Sequence, residues 1–235
     1  MEYSSNLKKF GTGVSSAEIE EILAAVRRVL PKNRNKKVYK RCFGAIDLTS
    51  LNSTDSKDLI DRFVTRAVEL PDRYPDVPNV ASVCVYPVFV ETAGMAIGDS
   101  GMSITSVCGG FPSSQTYLEV KMLETAMAVE NGADEVDVVI SIGEFLHGEY
   151  DLMGNEIEML RNEIGDDIVL KVILESGILA SPEAIHRASV IAMSAGADFI
   201  KTSTGKAAVA ATPEAAVVMC RAIRTFAEKT GRQVG

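Results

Sequence analysis

Short runs of apolar and β-branched residues alternate with longer amphipathic segments over most of this chain, and this alternation is the strongest constraint on its fold. The runs predict six strands, near residues 42–48, 80–86, 103–108, 135–141, 167–174 and 198–203. The segments between them have helical spacing, for example Asp55 to Leu70, Gln115 to Asn131, Ser181 to Ala195 and Pro213 to Lys229. Strands that alternate with helices in this manner indicate an α/β fold with a parallel sheet.

A closed TIM (β/α)8 barrel usually has eight strands and about 250 residues. This chain has 235 residues, and Arg232 to Gly235 have the character of a seventh strand that has only begun. We therefore predict one barrel domain, residues 1–235, that is incomplete at its carboxyl end. An open doubly wound sheet is the alternative, but no GxGxxG turn follows the first predicted strand.

A helical extension, residues 1–37, is expected ahead of the first strand. Ser15 and Glu18 have the spacing of a capping box, and the following residues keep an apolar helical face as far as Pro31. This segment therefore predicts a helix that precedes the main pattern.

The charge and cysteine content narrow the class of partner. A formal net charge of -8 argues against a surface that binds nucleic acid or an anionic membrane, although a local site for a small phosphate is compatible with it. The four cysteines lack CxxC spacing and lie far from both histidines, which is neither a zinc nor a disulfide pattern. The start of the chain does not resemble a leader, and no apolar run has bilayer length. We expect a cytoplasmic protein without a metal or other cofactor.

Lys201 lies in an apolar stretch, residues 197–206, which then opens into a turn of small residues. Burial of an ammonium group disfavours its charged form, so such a lysine is expected to have a depressed pKa and a nucleophilic amine. Lysines at strand ends also form salt bridges or reach water along their alkyl chains. Lys201 is therefore a candidate Schiff-base lysine, with an ordinary structural lysine as the alternative.

Other polar residues fall near the ends of predicted strands, where parallel α/β folds place their chemistry. They are Asp47, Cys84, Asp137 and Lys171. Lys171 would repel Lys201 and help to keep its amine neutral, and Asp137 would balance Lys171 or move protons. A buried Asp137–Lys171 ion pair with a structural role alone is the alternative. Asp47 could bond substrate hydroxyls or cap a turn. Cys84 is interpreted as a small buried apolar residue, because no histidine lies on a neighbouring strand end to act as its base.

The turn after the last predicted strand, residues 202–206, has the sequence Thr-Ser-Thr-Gly-Lys. It offers hydroxyls, backbone N–H groups and a cation, which suit a phosphate. The candidates for that contact are Thr202, Ser203, Gly205 and Lys206, although Lys206 could also be a solvated surface lysine. The turn is not a P-loop, because the first glycine of GxxxxGK would fall at Ile200. We interpret residues 109–112, Gly-Gly-Phe-Pro, as a loop shaped by turn residues.

Several of these segments together resemble the deoxyribose-phosphate aldolase family. They are Asp47-Leu48-Thr49, Gly110-Phe111-Pro112 and the residues 132–139, 170–173, 196–206 and 211–214. The similarity extends from about residue 40 to the end of the chain. The strings at 132–139 and 196–206 are long and specific, which makes chance agreement improbable.

The resemblance implies a (β/α)8-barrel class I aldolase that interconverts 2-deoxy-D-ribose 5-phosphate with glyceraldehyde 3-phosphate and acetaldehyde, without a metal. By the same resemblance Lys201 is the Schiff-base lysine, Asp137 the proton-relay aspartate and Lys171 a supporting lysine. The pocket and the phosphate grip would include Asp47, Cys84, Gly205 and Lys206. The implied partners are a small sugar phosphate and acetaldehyde, and a homodimer is compatible with the sequence.

The chain departs from the family at its carboxyl end. The family has a second essential lysine in a Lys-Pro-Ala-Gly-Gly string on its seventh strand, and this chain ends at Gly235, where that string would begin. We therefore expect weak activity or none from this chain. The alternatives are a truncated fragment that only binds sugar phosphate and a class I aldolase for another sugar phosphate.

Overall fold

The computed structural model describes residues 2–179 and 181–235 and contains a six-stranded parallel sheet. The strands are β1 Asp47–Thr49, β2 Ser82–Val85, β3 Ser103–Cys108, β4 Glu135–Val139, β5 Val169–Ile173 and β6 Phe199–Lys201. They lie side by side in chain order, and every neighbouring pair is parallel. The α/β architecture predicted from the alternating segments is confirmed.

Helices precede, connect and follow these strands. They are α1 Tyr3–Asn6, α2 Ser16–Asn33, α3 Lys36–Phe43, α4 Lys57–Val68, α5 Leu70–Arg73, α6 Val90–Ile97, α7 Leu118–Glu130, α8 Ile142–His147, α9 Tyr150–Ile164, α10 Ser176–Leu179, α11 Pro182–Ser194 and α12 Pro213–Thr230, with 3-10 turns at Leu7–Phe10 and Pro87–Phe89. Every connection between consecutive strands contains a helix, as parallel pairing requires of a crossover.

The sheet curls into a half-barrel. In a flat sheet, with about 4.8 Å between strands, β1 and β5 would lie about 19 Å apart. Instead, Asp47 Oδ2 on β1 lies 2.6 Å from Lys171 Nζ on β5 and 3.1 Å from Lys201 Nζ on β6. The inner face of the sheet therefore encloses an interior, and the fold is an incomplete TIM barrel.

The two faces of the sheet have different packing. Outward side chains such as Val83, Val136 and Leu170 belong to the large core between the strands and the helices. A smaller inner cluster contains Leu51, Cys84 and Val107, with Tyr86 and Phe111 packed against it. Because side chains alternate along a strand, the residues between the outward ones point into the barrel.

The first predicted strand is wrong in its bounds, whereas β2 to β6 fall inside the predicted ranges. Strand β1 covers only Asp47–Thr49, because α3 extends to Phe43 and a turn at residues 44–45 follows it. The Asn35 side chain caps that helix by accepting from Val38 N at 3.1 Å. Lys40 and Arg41 lie in its last turn, where cations stabilise the helix dipole.

The predicted capping box at the start of α2 is present. Ser15 N donates to Glu18 Oε2 at 2.8 Å, and Glu18 N donates to Ser15 Oγ at 3.3 Å. The helix continues past Pro31 to Asn33. Within the described residues, no helix is long and apolar enough to cross a membrane.

Residues after α12 return to the β6 side of the sheet. Gly235 N donates to Asp198 O at 2.9 Å, and Ile200 N donates to Gly235 O at 3.0 Å. These two bonds have the alternating pattern of a parallel strand neighbour. The segment predicted to begin a seventh strand therefore pairs with β6 at Gly235.

Candidate active site

Five charged side chains from four strands meet inside the half-barrel. They are Asp47 on β1, Glu135 and Asp137 on β4, Lys171 on β5 and Lys201 on β6. The parallel register places Asp137 beside Lys171 and Ile173 beside Lys201. Three carboxylates thus face two ammonium groups in a confined space, which makes every ionisation in the cluster depend on the others.

Lys201 is the lysine of this cluster that remains partly open to solvent, whereas the side chain of Lys171 is 6% exposed. The Lys201 side chain is 28% exposed, whereas the side chain of Asp137 is 2% exposed. Lys201 Nζ donates to Asp137 Oδ2 and, at 3.1 Å, to Asp47 Oδ2. A small carbonyl compound can therefore approach the amine from the open side while a carboxylate touches it from behind.

The pKa of Lys201 differs from the sequence-based prediction. Burial lowers its pKa, and Lys171 adds to that effect, but the charge and hydrogen bond of Asp137 together with Asp47 raise it above the usual lysine value. The predicted depressed pKa is therefore wrong for this arrangement. Two carboxylates reach the amine, and their attraction outweighs desolvation and the neighbouring cation.

Lys171 lies deeper in the barrel and is held by three carboxylates. Its Nζ lies 2.5 Å from Glu135 Oε2, 2.6 Å from Asp47 Oδ2 and 3.6 Å from Asp137 Oδ1. Burial lowers the pKa of Lys171, but these carboxylates raise it well above its usual value. The Asp137–Lys171 ion pair considered from the sequence is present as the longest of these contacts, and Asp137 lies closer to Lys201.

Asp137 is a buried carboxylate with one oxygen still available. Burial raises its pKa above the ordinary aspartate value, against the opposing charges of Lys201 and Lys171. Its Oδ2 accepts from Lys201, whereas its Oδ1 is buried and forms no hydrogen bond with the described residues. A carboxyl group with this environment takes up a proton more readily than an exposed one.

Asp47 does not cap the turn that follows β1, which was one of the two roles considered for it from the sequence. Its Oδ2 accepts from both lysines, and its Oδ1 accepts from Ser82 Oγ at 2.8 Å. Burial alone would raise its pKa, but the hydrogen bond and charge of Lys171 lower it below the usual value. The turn after β1 is instead capped by Asp55, which accepts from Ser50 Oγ and Asn52 N.

Three members of this network were not identified from the sequence. Thr105 Oγ1 donates to Glu135 Oε2 at 2.8 Å and accepts from Lys171 Nζ at 3.1 Å. It also lies 3.0 Å from Ser82 Oγ. Ser82 and Thr105 have no exposed surface. Glu135 had a usable signal, because it lies two residues before Asp137 and so faces the same side of β4.

Cys84 lies in the inner apolar cluster, as its interpretation as a packing residue predicts. Burial raises the pKa of its thiol to about 12, and Asp137 acts in the same direction. A thiol with this pKa is protonated at neutral pH and is a poor nucleophile. Its contribution to the site is therefore shape and apolar surface.

Thiol labelling tests this assignment. Cys42 and Cys220 are exposed, whereas Cys84 and Cys108 are buried and have pKa values raised to about 12 by burial. Iodoacetamide at neutral pH is expected to alkylate the first two and to spare the second two, as read by peptide mass spectrometry. The denatured chain is the control and should react at all four cysteines. Rapid labelling of Cys84 in the folded protein would contradict its placement.

The candidate phosphate turn follows β6 directly. Lys206 Nζ donates to Leu51 O at 2.5 Å, so this side chain bridges to the residues after β1. Ser203 Oγ is buried without a hydrogen-bond partner among the described residues, and Gly205 has a φ of +75°. Thr202 accepts from Ser176 N through its carbonyl at 2.8 Å. The turn is therefore placed at the mouth of the barrel above Lys201, with one hydroxyl and one cation near it.

This geometry can support chemistry at a carbonyl group. An accessible amine touches a buried carboxylate that is able to carry a proton, and a cationic turn lies at the same end of the strands. No three His, Cys, Asp or Glu side chains of the described ranges are placed to hold a metal ion. The fold and the site define the class of the chain as an incomplete TIM barrel with an accessible interior lysine that touches a buried carboxylate.

Comparisons with known proteins give the family. Residues 43–229 match the DeoC/LacD family aldolase. Deoxyribose-phosphate aldolase of Homo sapiens is 39% identical over 89% of this chain and 69% of its own length, and the Bos taurus enzyme of that name is 40% identical over the same shares. A solved structure described as QR15, an aldolase, has 31% identity and a TM-score of 0.67, covering 82% of this chain and 78% of that one. This chain belongs to the DeoC/LacD family of aldolases.

Proposed function

We propose that this aldolase cleaves 2-deoxy-D-ribose 5-phosphate to glyceraldehyde 3-phosphate and acetaldehyde through a Schiff base on Lys201. The contact between the partly exposed Lys201 amine and the buried Asp137 carboxylate carries the proposal. The substrate class is supported by the relatives from Homo sapiens and Bos taurus, which are named deoxyribose-phosphate aldolase. The cytoplasm is the compartment proposed for this reaction.

The raised pKa of Lys201 is compatible with attack on a carbonyl because its partner is a proton acceptor. Burial lowers the pKa of Lys201 and raises the pKa of Asp137, so it favours the neutral amine and carboxylic acid pair over the ion pair. The amine adds to the carbonyl in the neutral form that remains after its proton is lost to solvent, and the touching carboxylate accepts the proton that the nitrogen releases on addition. The pair then acts as a nucleophile with its own base.

The proposed reaction begins when the Lys201 amine adds to the aldehyde carbon of the open-chain sugar. Loss of water gives an iminium ion, which accepts electrons. The bond between carbons 2 and 3 breaks, its electron pair forms an enamine on carbon 2, and the hydroxyl on carbon 3 loses its proton and becomes the aldehyde of glyceraldehyde 3-phosphate. A proton from Asp137 or from water then adds to carbon 2, and hydrolysis releases acetaldehyde.

The other residues of the site would hold the substrate and the charges. Lys171 and Asp47 keep Asp137 and Lys201 in place through the ion pairs of the interior. Cys84 forms part of the apolar inner wall. The substrate phosphate is proposed to accept a hydrogen bond from Lys206 Nζ in place of the Leu51 carbonyl. It would also accept hydrogen bonds from the hydroxyls of Thr202 and Ser203 and from the backbone N–H of Gly205.

Reductive trapping tests the proposal directly. Incubation with acetaldehyde and sodium borohydride is expected to add one N-ethyl group, and peptide mapping should find it on Lys201. The rate should rise through neutral and mildly alkaline pH without a plateau, because the pKa of Lys201 lies above its usual value and each pH unit increases the free amine about tenfold. Label on another lysine, or a plateau below neutral pH, would contradict the assignment.

Asp137→Asn provides the matched control for the pH dependence. The substitution keeps the shape of the side chain, removes the negative charge that raises the pKa of Lys201, and leaves only the weaker acceptor of an amide oxygen. Burial and Lys171 then dominate, so the trapping profile should shift to lower pH, while cleavage of the sugar phosphate slows by about 10²- to 10⁴-fold because the proton carrier is lost. An unchanged profile would show that Asp137 does not set the charge of the amine.

A further inference from the structure

Glu175 has an unusual backbone conformation two residues after β5. Its φ is +53°, in the left-handed region that side chains other than glycine seldom adopt, and it is 2% exposed. Such a conformation persists only when the surrounding contacts compensate its cost, and it is found most often at functional sites. Glu175 belongs neither to the five-residue charge cluster nor to the proposed phosphate contacts.

The contacts of Glu175 reach the turn after β6. Thr204 Oγ1 donates to Glu175 Oε2 at 2.5 Å, and Thr204 N lies 3.3 Å from both carboxylate oxygens. One residue on, Ser176 N donates to Thr202 O at 2.8 Å. A buried carboxylate and an adjacent backbone bond therefore hold the first half of the 202–206 turn.

The segment after β5 and the loop after β6 come close together at a second place, Gly177. A side chain at Gly177 would meet Val209 O at 2.2 Å, so the backbone of the loop after β6 lies directly on this glycine. Glu175, Ser176 and Gly177 are consecutive, and each contacts the region 202–209. The short helix α10 thus acts as a platform for the candidate phosphate turn.

Glu175 also determines which groups of the turn are free. It occupies Thr204 N, and Thr204 Oγ1 in turn accepts from Lys206 N at 3.0 Å. The groups not used by these bonds include the Ser203 hydroxyl, which is buried and lacks a hydrogen-bond partner in the described part of the chain. The Ser203 hydroxyl therefore remains available to a ligand, and the backbone at Lys206 is held in place by Thr204.

We propose that Glu175 is a positioning residue that holds the 202–206 turn in the conformation needed to bind the phosphate group of the substrate. This inference rests on the proposed sugar-phosphate substrate. It predicts that loss of the Glu175–Thr204 contact weakens recognition of the phosphate and leaves the reaction at Lys201 intact. A residue that merely supports folding would affect phosphorylated and unphosphorylated sugars alike.

The test uses Thr204→Val, which is close to threonine in shape but lacks the hydroxyl, and Thr204→Ser as the conservative rescue. The readout is borohydride trapping on Lys201 with 2-deoxyribose 5-phosphate or with 2-deoxyribose. Thr204→Val is expected to raise the half-saturating concentration of the phosphorylated sugar about tenfold, because a hydrogen bond to a charged group contributes about that factor. The maximal rate, and both values measured with 2-deoxyribose, should stay within about twofold of the parent. Thr204→Ser should remain near the parent.

Glu175→Gln supplies a second measurement that keeps the size of the side chain. This substitution should also weaken binding of the phosphorylated sugar while leaving binding of 2-deoxyribose unchanged, because a neutral amide is a poorer acceptor for Thr204 than a carboxylate. Equal losses with both sugars, or no change in any of these variants, would overturn the positioning role. Absence of Lys201 labelling by both sugars in the parent chain would reject the proposed function, and this inference with it.

Discussion

Replacing Lys201 with methionine is expected to abolish reductive labelling by acetaldehyde and to lower the rate of sugar-phosphate cleavage by a factor on the order of 10⁴ or more, as for the loss of a covalent nucleophile. Methionine keeps much of the length of the side chain and removes the amine that would form the iminium ion. Both ion pairs of Lys201, with Asp137 and Asp47, are also lost. Intact-mass analysis after borohydride treatment and a coupled assay for glyceraldehyde 3-phosphate give the two measurements.

Lys206→Met is the matched control, because it removes a lysine amine from the same end of the barrel. Lys206 Nζ contacts the Leu51 carbonyl and none of the buried carboxylates. Its variant is expected to keep the N-ethyl label on Lys201 after treatment with acetaldehyde, although it should bind the phosphorylated sugar less tightly. A Lys201→Met protein that still cleaves the sugar phosphate at the parent rate would exclude the Schiff-base mechanism.

Replacing Lys171 with methionine is expected to lower the free energy of unfolding by about 3–5 kcal/mol, the usual cost of breaking a buried ion pair by removing one partner. The Lys171 side chain is 6% exposed and contacts Asp47, Glu135 and Asp137. Without its charge, three carboxylates remain in the interior with Lys201 as the nearby cation. Urea unfolding followed by circular dichroism measures the difference.

A second substitution separates charge from packing in this prediction. Glu135→Gln in the Lys171→Met background removes one of the uncompensated carboxylates, and the amide can still accept from Thr105 Oγ1. The double variant should therefore be more stable than Lys171→Met alone, whereas Glu135→Gln by itself should be destabilising. Additive effects of the two substitutions would show that the pair is not coupled and that the cost of Lys171→Met is a packing cost.

The strands and the location of the site could be predicted because they depend on local patterns. Five strand positions follow from β-branched runs between helical segments. Lys201 ends β6, whereas Asp137 and Lys171 are the middle residues of β4 and β5 and reach the site because their side chains point into the barrel. The first strand was misplaced since α3 ends only at Phe43 and a turn at residues 44–45 separates it from β1. Over so few residues the propensities for helix and strand are similar, and tertiary contacts decide which of the two forms.

The charge state of the site could not be predicted from the same patterns. A lysine in an apolar stretch predicts a depressed pKa when burial is considered alone, yet two carboxylates raise the pKa of Lys201. One of them, Asp47, is 154 residues away in the chain and reaches the amine only because the sheet curls. Thr105 and Ser82 were missed because their contacts join side chains of different strands, which local patterns do not show.

The sequence by itself determined the alternation of strands and helices, the direction of the strands, the family resemblance and the candidates Lys201, Asp137 and Lys171. These follow from side-chain periodicity and from strings of neighbouring residues. The curvature of the sheet decided which of those residues touch, and thereby which lysine remains open to a substrate, which carboxylate is its partner and how both titrate. An electrostatic interaction depends on distance in space and on burial, and both quantities exist only after the half-barrel has formed.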